Sequence, residues 1–284
     1  MTTTRKSNQM VTGLKIVLAA GALLMSGIAA QAVDLVILNA DSPKTLAAGS
    51  YTYGKVWLGN DGGASGPLVL NIGDGVTISC VEFINAFGCY GTVNQSGGSV
   101  TVTGTATGNN YPSVGNNLSL GCYGYNNPSG EYDLSGGTLT ATAGITVFGA
   151  DGDGRLTISG GTATLLGLMG DWNNNGHLVL SSGTLSLGAQ GFKMNPGAYA
   201  GKRGTWYGTI IFSGGTLKLS NNGAIAVNFG TGTVDQLFLD GVQQVAGTWG
   251  KTGSGAANIN DTYFSGGGVL TVKHGPGGSL ILIY

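Results

Sequence analysis

The chain has 284 residues, 55 of them Gly, with only 9% charged and 42% apolar residues. So little charge excludes a solvated disordered tail or a coiled coil, the lack of a strict Gly-x-y period excludes collagen, and the cost of Gly in a helix, roughly 1 kcal/mol per position relative to Ala, sets a helical domain aside. A formal net charge of −1 offers no cluster of Lys and Arg to displace counterions from phosphates, so nucleic acid is not an expected partner.

What remains is an all-β chain with many tight turns, opened by an export signal. A basic region (Arg5, Lys6, Lys15), an apolar run from Ile16 to Ala30 and the small-x-small site Ala30-Gln31-Ala32 predict cleavage after Ala32. The apolar run contains Gly21, Ser26 and Gly27 and falls short of the roughly 20 residues needed to span a bilayer. No other stretch is long and apolar enough, so no transmembrane segment is expected in the mature chain, which should be secreted or held at the outer cell surface. Residues 33–57 are assigned to an N-terminal cap or strand, 58–246 to repeats, and 247–284 to a closing coil and tail.

The repeats are anchored on Ser-Gly-Gly, at Ser96, Ser135, Ser159 and Ser213, with variants at Ile72-Gly73-Asp74 and Ser181-Ser182-Gly183. Most anchors stand 22 or 24 residues apart, with two longer spacings that read as insertions. One and three residues before the anchor come Leu134 and Tyr132, Ile158 and Leu156, Leu180 and Leu178, Phe212 and Ile210; four and six after it come Val100 and Val102, Leu185 and Leu187, Leu217 and Leu219. This parity predicts two inward-facing strands joined by a tight corner. A third short strand is expected before the apolar-Gly pairs Phe87-Gly88, Leu120-Gly121, Phe148-Gly149 and Met169-Gly170. Three strands per unit and Gly at the corners describe a parallel β-helix, a solenoid of about six coils. An antiparallel sandwich would not repeat one parity across so many units.

The Ser-Gly-Gly-Thr-apolar-Thr units and the closing segment, with Gly247-Thr248-Trp249-Gly250, Asn258-Ile259-Asn260-Asp261 and Phe264 to Val272, resemble secreted bacterial autotransporter-associated β-strand repeat proteins over roughly residues 58 to 272. The resemblance implies a right-handed solenoid at a cell surface or in the medium, and brings no catalytic residue with it. The expected form is passenger-like, because no long translocator barrel follows Val272 and the Leu280 to Tyr284 end does not replace one.

Several constellations fall on the predicted coils. Cys89 and Cys122 lie in identical Gly-Cys-Tyr-Gly tetrapeptides, expected at the same corner of adjacent coils about 4.8 Å apart and so candidates for a disulfide; Cys80 reads as a buried thiol. The next corner residues, Tyr90, Tyr123, Asp151 and Trp172, suggest a largely aromatic file that either stacks on sugar rings or covers the ends of the core. Four residues before the anchors an outward column reads Thr92, Glu131, Arg155, His177 and Thr209, with Asp133 beside Glu131. If the protein were a carbohydrate-active enzyme, a polysaccharide lyase or hydrolase, Glu131, Asp133, Arg155 and His177 would be its catalytic set; the plainer reading is a solvated ion pair. Asp151-Gly152-Asp153-Gly154 opens like a Ca²⁺ loop but reaches Thr162 where Glu is required, and His177 and His274 share no zinc spacing, so no metal or other cofactor is expected. On the second strand Thr138, Thr162, Thr184 and Thr216 form one outward file and Thr77, Thr101, Thr140, Thr164 and Ser186 another; such files either order water in an ice-like lattice or reflect only the β-propensity of Thr. The functional expectation is a structural or adhesive surface protein without catalytic activity, meeting polysaccharide or a neighbouring cell.

Overall fold

The computed structural model describes residues 33–59, 67–104, 118–121, 129–148, 152–170, 176–194, 209–212, 216–219, 225–226 and 231–277; the expected export signal lies outside them. The described residues form a parallel β-solenoid of about six turns. Its long sheet has twelve strands and its short sheet seven. Among the described residues no helix is long and apolar enough to cross a membrane.

Each turn enters the short sheet, rounds the Ser-Gly-Gly corner and continues in the long sheet. In the short sheet Lys44–Thr45, Pro67–Ile72, Tyr90–Gln95, Ser129–Leu134, Asp153–Ile158, Gly176–Leu180 and Thr209–Phe212 pair in parallel, each with the next. In the long sheet Gly49–Leu58, Val76–Asn85, Ser99–Val102, Thr138–Ala141, Thr162–Gly170, Thr184–Met194, Thr216–Leu219 and Gln236–Leu239 do the same. The third segment of the coil is a separate strand at Leu118–Leu120 and Thr146–Phe148, and prolongs the long-sheet strand in Val76–Asn85 and Thr162–Gly170. Residues of the expected N-terminal cap already stack in these ladders, with Val33–Ile37 parallel to Gly49–Leu58.

Alternation places one face of every strand inside. Tyr132, Leu156 and Leu178 are stacked and buried in the short sheet, opposite Ile78, Val100, Leu139, Leu185 and Leu217 in the long one. One inner column carries a polar residue, Gln95, level with Ile72 and Leu134. Its Nε2 donates to the carbonyls of Gly97 at 3.1 Å and Thr138 at 3.0 Å, and its Oε1 accepts from the Tyr132 hydroxyl at 2.6 Å. The amide is satisfied on both sides, and ties one corner to the next coil.

The corner itself explains its sequence. Gly137 has φ of +73°, and a Cβ there would run into the carbonyl oxygens of Gly97 and Gly98 one coil below. Only Gly allows both the left-handed turn and the close approach. Ser96 to Gly98, Ser135 to Gly137, Ser159 to Gly161 and Ser181 to Gly183 each span three residues between the same paired levels of the two sheets. Constant corner length keeps the sheets in step from coil to coil.

The far end departs from the parallel scheme. Val269–Val272 runs parallel to Thr231–Val234 but antiparallel to Gly247–Gly250, and Val242–Gln243 folds back antiparallel on Gln236–Leu239. Trp249 and Phe264, 6.5 Å apart between ring centroids, are buried beneath this closure. A short antiparallel strand laid on the last long-sheet coil covers an edge that would otherwise pair with another chain.

Candidate functional site

The short sheet's outward face carries the chemistry expected of it. Thr92, Glu131, Arg155, His177 and Thr209 pair in unbroken sequence on consecutive strands, as the spacing predicts. Asp133 occupies the adjacent column, level with Asn94 and Thr157. A third column holds Pro67, Tyr90, Ser129 and Asp153.

The expected ion pair is not formed: Arg155 Nε donates to Thr157 Oγ1 at 3.2 Å on its own strand, and the ion pair present among the described residues joins Lys273 to Asp235 at 3.0 Å. Glu131 and Asp133 are two residues apart on one strand, so their side chains leave the sheet on the same side about 7 Å apart. His177 is held below the ordinary imidazole value, chiefly by burial and then by the Arg155 guanidinium, against the opposing pull of Asp153 and Glu131. The column thus carries side chains of both signs. Among the described residues no group of three or more His, Cys, Asp or Glu is placed to hold a metal ion.

The aromatic file and the cysteine pair rest on Gly88 being level with Gly121, and the ladder sets Gly121 elsewhere. Leu120 pairs with Asn85, and the Gly121 amide donates to the Asn85 carbonyl at 2.9 Å. Gly121 is therefore level with Ala86, two residues ahead of Gly88, and Tyr90 is level with Ser129. Tyr90 is 54% exposed and its neighbours across the ladder are Pro67 and Ser129; Tyr123, Asp151 and Trp172 lie outside the described residues. Cys89 is a free, buried thiol whose Sγ donates to the Leu58 carbonyl at 3.5 Å, while Cys122 lies outside the described residues. Burial pushes the Cys89 thiol up to about 11 and that of Cys80, free and buried as expected, to about 12.

The hydroxyl files are longer than the sequence suggests, and Thr77 moves from one to the other. The first runs Ser50, Thr77, Ser99, Thr138, Thr162, Thr184, Thr216; the second runs Thr52, Ser79, Thr101, Thr140, Thr164, Ser186. The first corner, Gly73 to Val76, has one more residue than the others, which shifts Thr77 by one place. Ser50 and Thr52 precede the first anchor and Ser79 follows the longer first corner, so counting from the anchors does not reach them, whereas Ser99 stands at the same step from Ser96 as Thr138 from Ser135; a hydroxyl at alternate positions after each corner is the signal that finds it.

Comparison with known proteins gives no matching family model, no matching curated protein and no matching solved structure.

Proposed function

We propose that the protein is an exported, non-catalytic β-solenoid of structural or adhesive role, secreted or held at the outer cell surface, which meets polysaccharide through the outward face of its short sheet. The observation that carries this reading is the register that lines up Tyr90, Glu131, Asp133, Arg155 and His177 in three neighbouring columns of one solvent-facing ladder. An exposed ring gives an apolar platform for a sugar face, and the carboxylates, guanidinium and imidazole give donors and acceptors for its hydroxyls. Hydrolysis of a glycosidic bond calls for two carboxyl groups flanking that bond. Glu131 and Asp133 are the two carboxylates of a single strand, a small set for hydrolysis, and we read them as binding groups. The closing segment and repeat units support an origin among autotransporter-associated repeat proteins.

The test incubates the purified protein with soluble and insoluble polysaccharides, and assays pull-down and new sugar ends together. Capture without new ends, weakened about 2- to 10-fold by Tyr90→Ala, is expected. New reducing or unsaturated ends that disappear when Glu131, Asp133, Arg155 and His177 are all replaced by Ala would overturn it in favour of a lyase or hydrolase. Capture of none of them would remove the adhesive role.

A further inference from the structure

The long sheet's outward face is chemically unlike the short sheet's, because it repeats hydroxyl side chains from rung to rung. Six consecutive rungs, from Ser50 and Thr52 to Thr184 and Ser186, each present a hydroxyl pair at alternate positions, and Thr216 extends the first file by one. The pairing across these positions has no register shift. Neighbouring rungs are about 4.8 Å apart, and alternate residues on a strand about 6.6–6.8 Å. The array is therefore a rectangular grid roughly 24 Å long and two files wide. It ends where Lys218 continues the second file, with its ammonium 5.2 Å from the Phe238 ring.

Three properties identify what such a grid recognises. First, the hydroxyls are unspent: among the described residues none of these side chains hydrogen-bonds to another protein group, whereas on the short sheet Asn94 donates to Asn71 at 3.0 Å and Arg155 to Thr157 at 3.2 Å. Second, the grid has no charge and no aromatic ring before Lys218 and Phe238, so it lacks both the stacking platform that favours a sugar and the charges that favour a phosphate or an ionic peptide. Third, its repeat runs in two directions, and both spacings lie close to those of oxygen sites on a prism face of hexagonal ice. Each hydroxyl donates once and accepts twice, while the Thr methyl groups between them offer water nothing and turn its remaining bonds outward. Water held at every node would then be ordered in lattice positions, on a surface preorganised by the ladder so that little further ordering is required on contact.

We propose that this face binds ice, through the two hydroxyl files on rungs Ser50–Thr52 to Thr184–Ser186. The face is opposite in character to the polysaccharide surface, and the proposal stands or falls independently of it.

The experiment grows ice slowly from a dilute solution of the protein mixed with a soluble protein lacking such a face, and measures the partition of each into the ice. Several-fold enrichment of the solenoid in ice is expected. Thr162→Tyr combined with Thr140→Tyr, which keeps strand-forming residues but raises two bulges at the centre of the grid, should reduce the enrichment to that of the reference protein. Thr157→Tyr, on the short sheet, should leave it unchanged. Because the double variant must remain folded for this comparison, Thr162→Val, which keeps the shape and removes one hydroxyl, is measured alongside with circular dichroism of all variants; a partial loss is expected. Exclusion of the unmodified protein from ice, or undiminished enrichment of the folded double variant, would overturn the proposal. So would capture by a crystalline polysaccharide that the double variant abolishes without any enrichment in ice.

Discussion

The long and short sheets have the same inside and different outsides. Apart from Gln95, the inward rows of both are apolar, with Leu139, Leu185 and Leu217 in one and Tyr132, Leu156 and Leu178 in the other, all buried. Outward, a long-sheet file keeps hydroxyls on rung after rung, whereas the short-sheet column changes from Thr92 to Glu131 to Arg155 to His177. Stability in a solenoid is close to a sum over neighbouring coils, and that sum is made inside. The outer rows are therefore free to be uniform or varied, and the uniformity of one and the variety of the other call for separate explanations.

Inner and outer rows of the same strand should respond differently to damage. Leu156 is fully buried between Tyr132 and Leu178, so Leu156→Ala should cost about 2–5 kcal/mol. Its outward neighbour Thr157→Ala should change stability by no more than about 0.5 kcal/mol. Denaturant unfolding of both variants checks the pair; equal losses would mean that the outer rows also carry the fold. The next effect tests the corner that holds the two sheets in step. Gly137→Ala places a side chain at φ of +73° against the carbonyls of the coil below, and a residue forced into that region costs of order 1–3 kcal/mol before the clash is counted. At the irregular first corner Gly73 has no atom within 4 Å of a Cβ position, so Gly73→Ala should be near neutral. A thermal melt of each separates them.

This corner also explains how much of the molecule was legible. Counting residues outward from Ser-Gly-Gly gave the parallel coils, the inward parity and the whole column from Thr92 to Thr209, because the corner has one length from Ser96 onward and an error cannot accumulate across it. The count slips in two places. The matching tetrapeptides at Gly88 and Gly121 look equivalent, yet Leu120 pairs with Asn85, which sets Gly121 level with Ala86 rather than with Gly88. Local identity is a weaker determinant of register than the burial of an alternating row, since a slip of one residue would turn every inner side chain outward. The misplacement of Thr77 has the same origin, in the one extra residue of the first corner.

The smallest effect tests whether the short-sheet column acts as one electrostatic surface. Burial and Arg155 both disfavour the charged imidazole of His177, and Asp153 and Glu131 favour it. In a His274→Gln background, which leaves a single imidazole to follow by nuclear magnetic resonance, His177 should titrate below about 6.5. Arg155→Ala should raise that midpoint, though not fully, since burial is the larger cause; Glu131→Gln should lower it. The linkage sign follows from the depressed folded value: the unfolded chain binds the proton first, so the contribution of His177 to stability is complete above the unfolded pKa and is lost as pH falls through the folded one. A midpoint indifferent to both neighbours would mean that the column is aligned but not coupled, and Arg155, already donating to Thr157 on its own strand, would then be a separate contact point rather than part of a continuous surface.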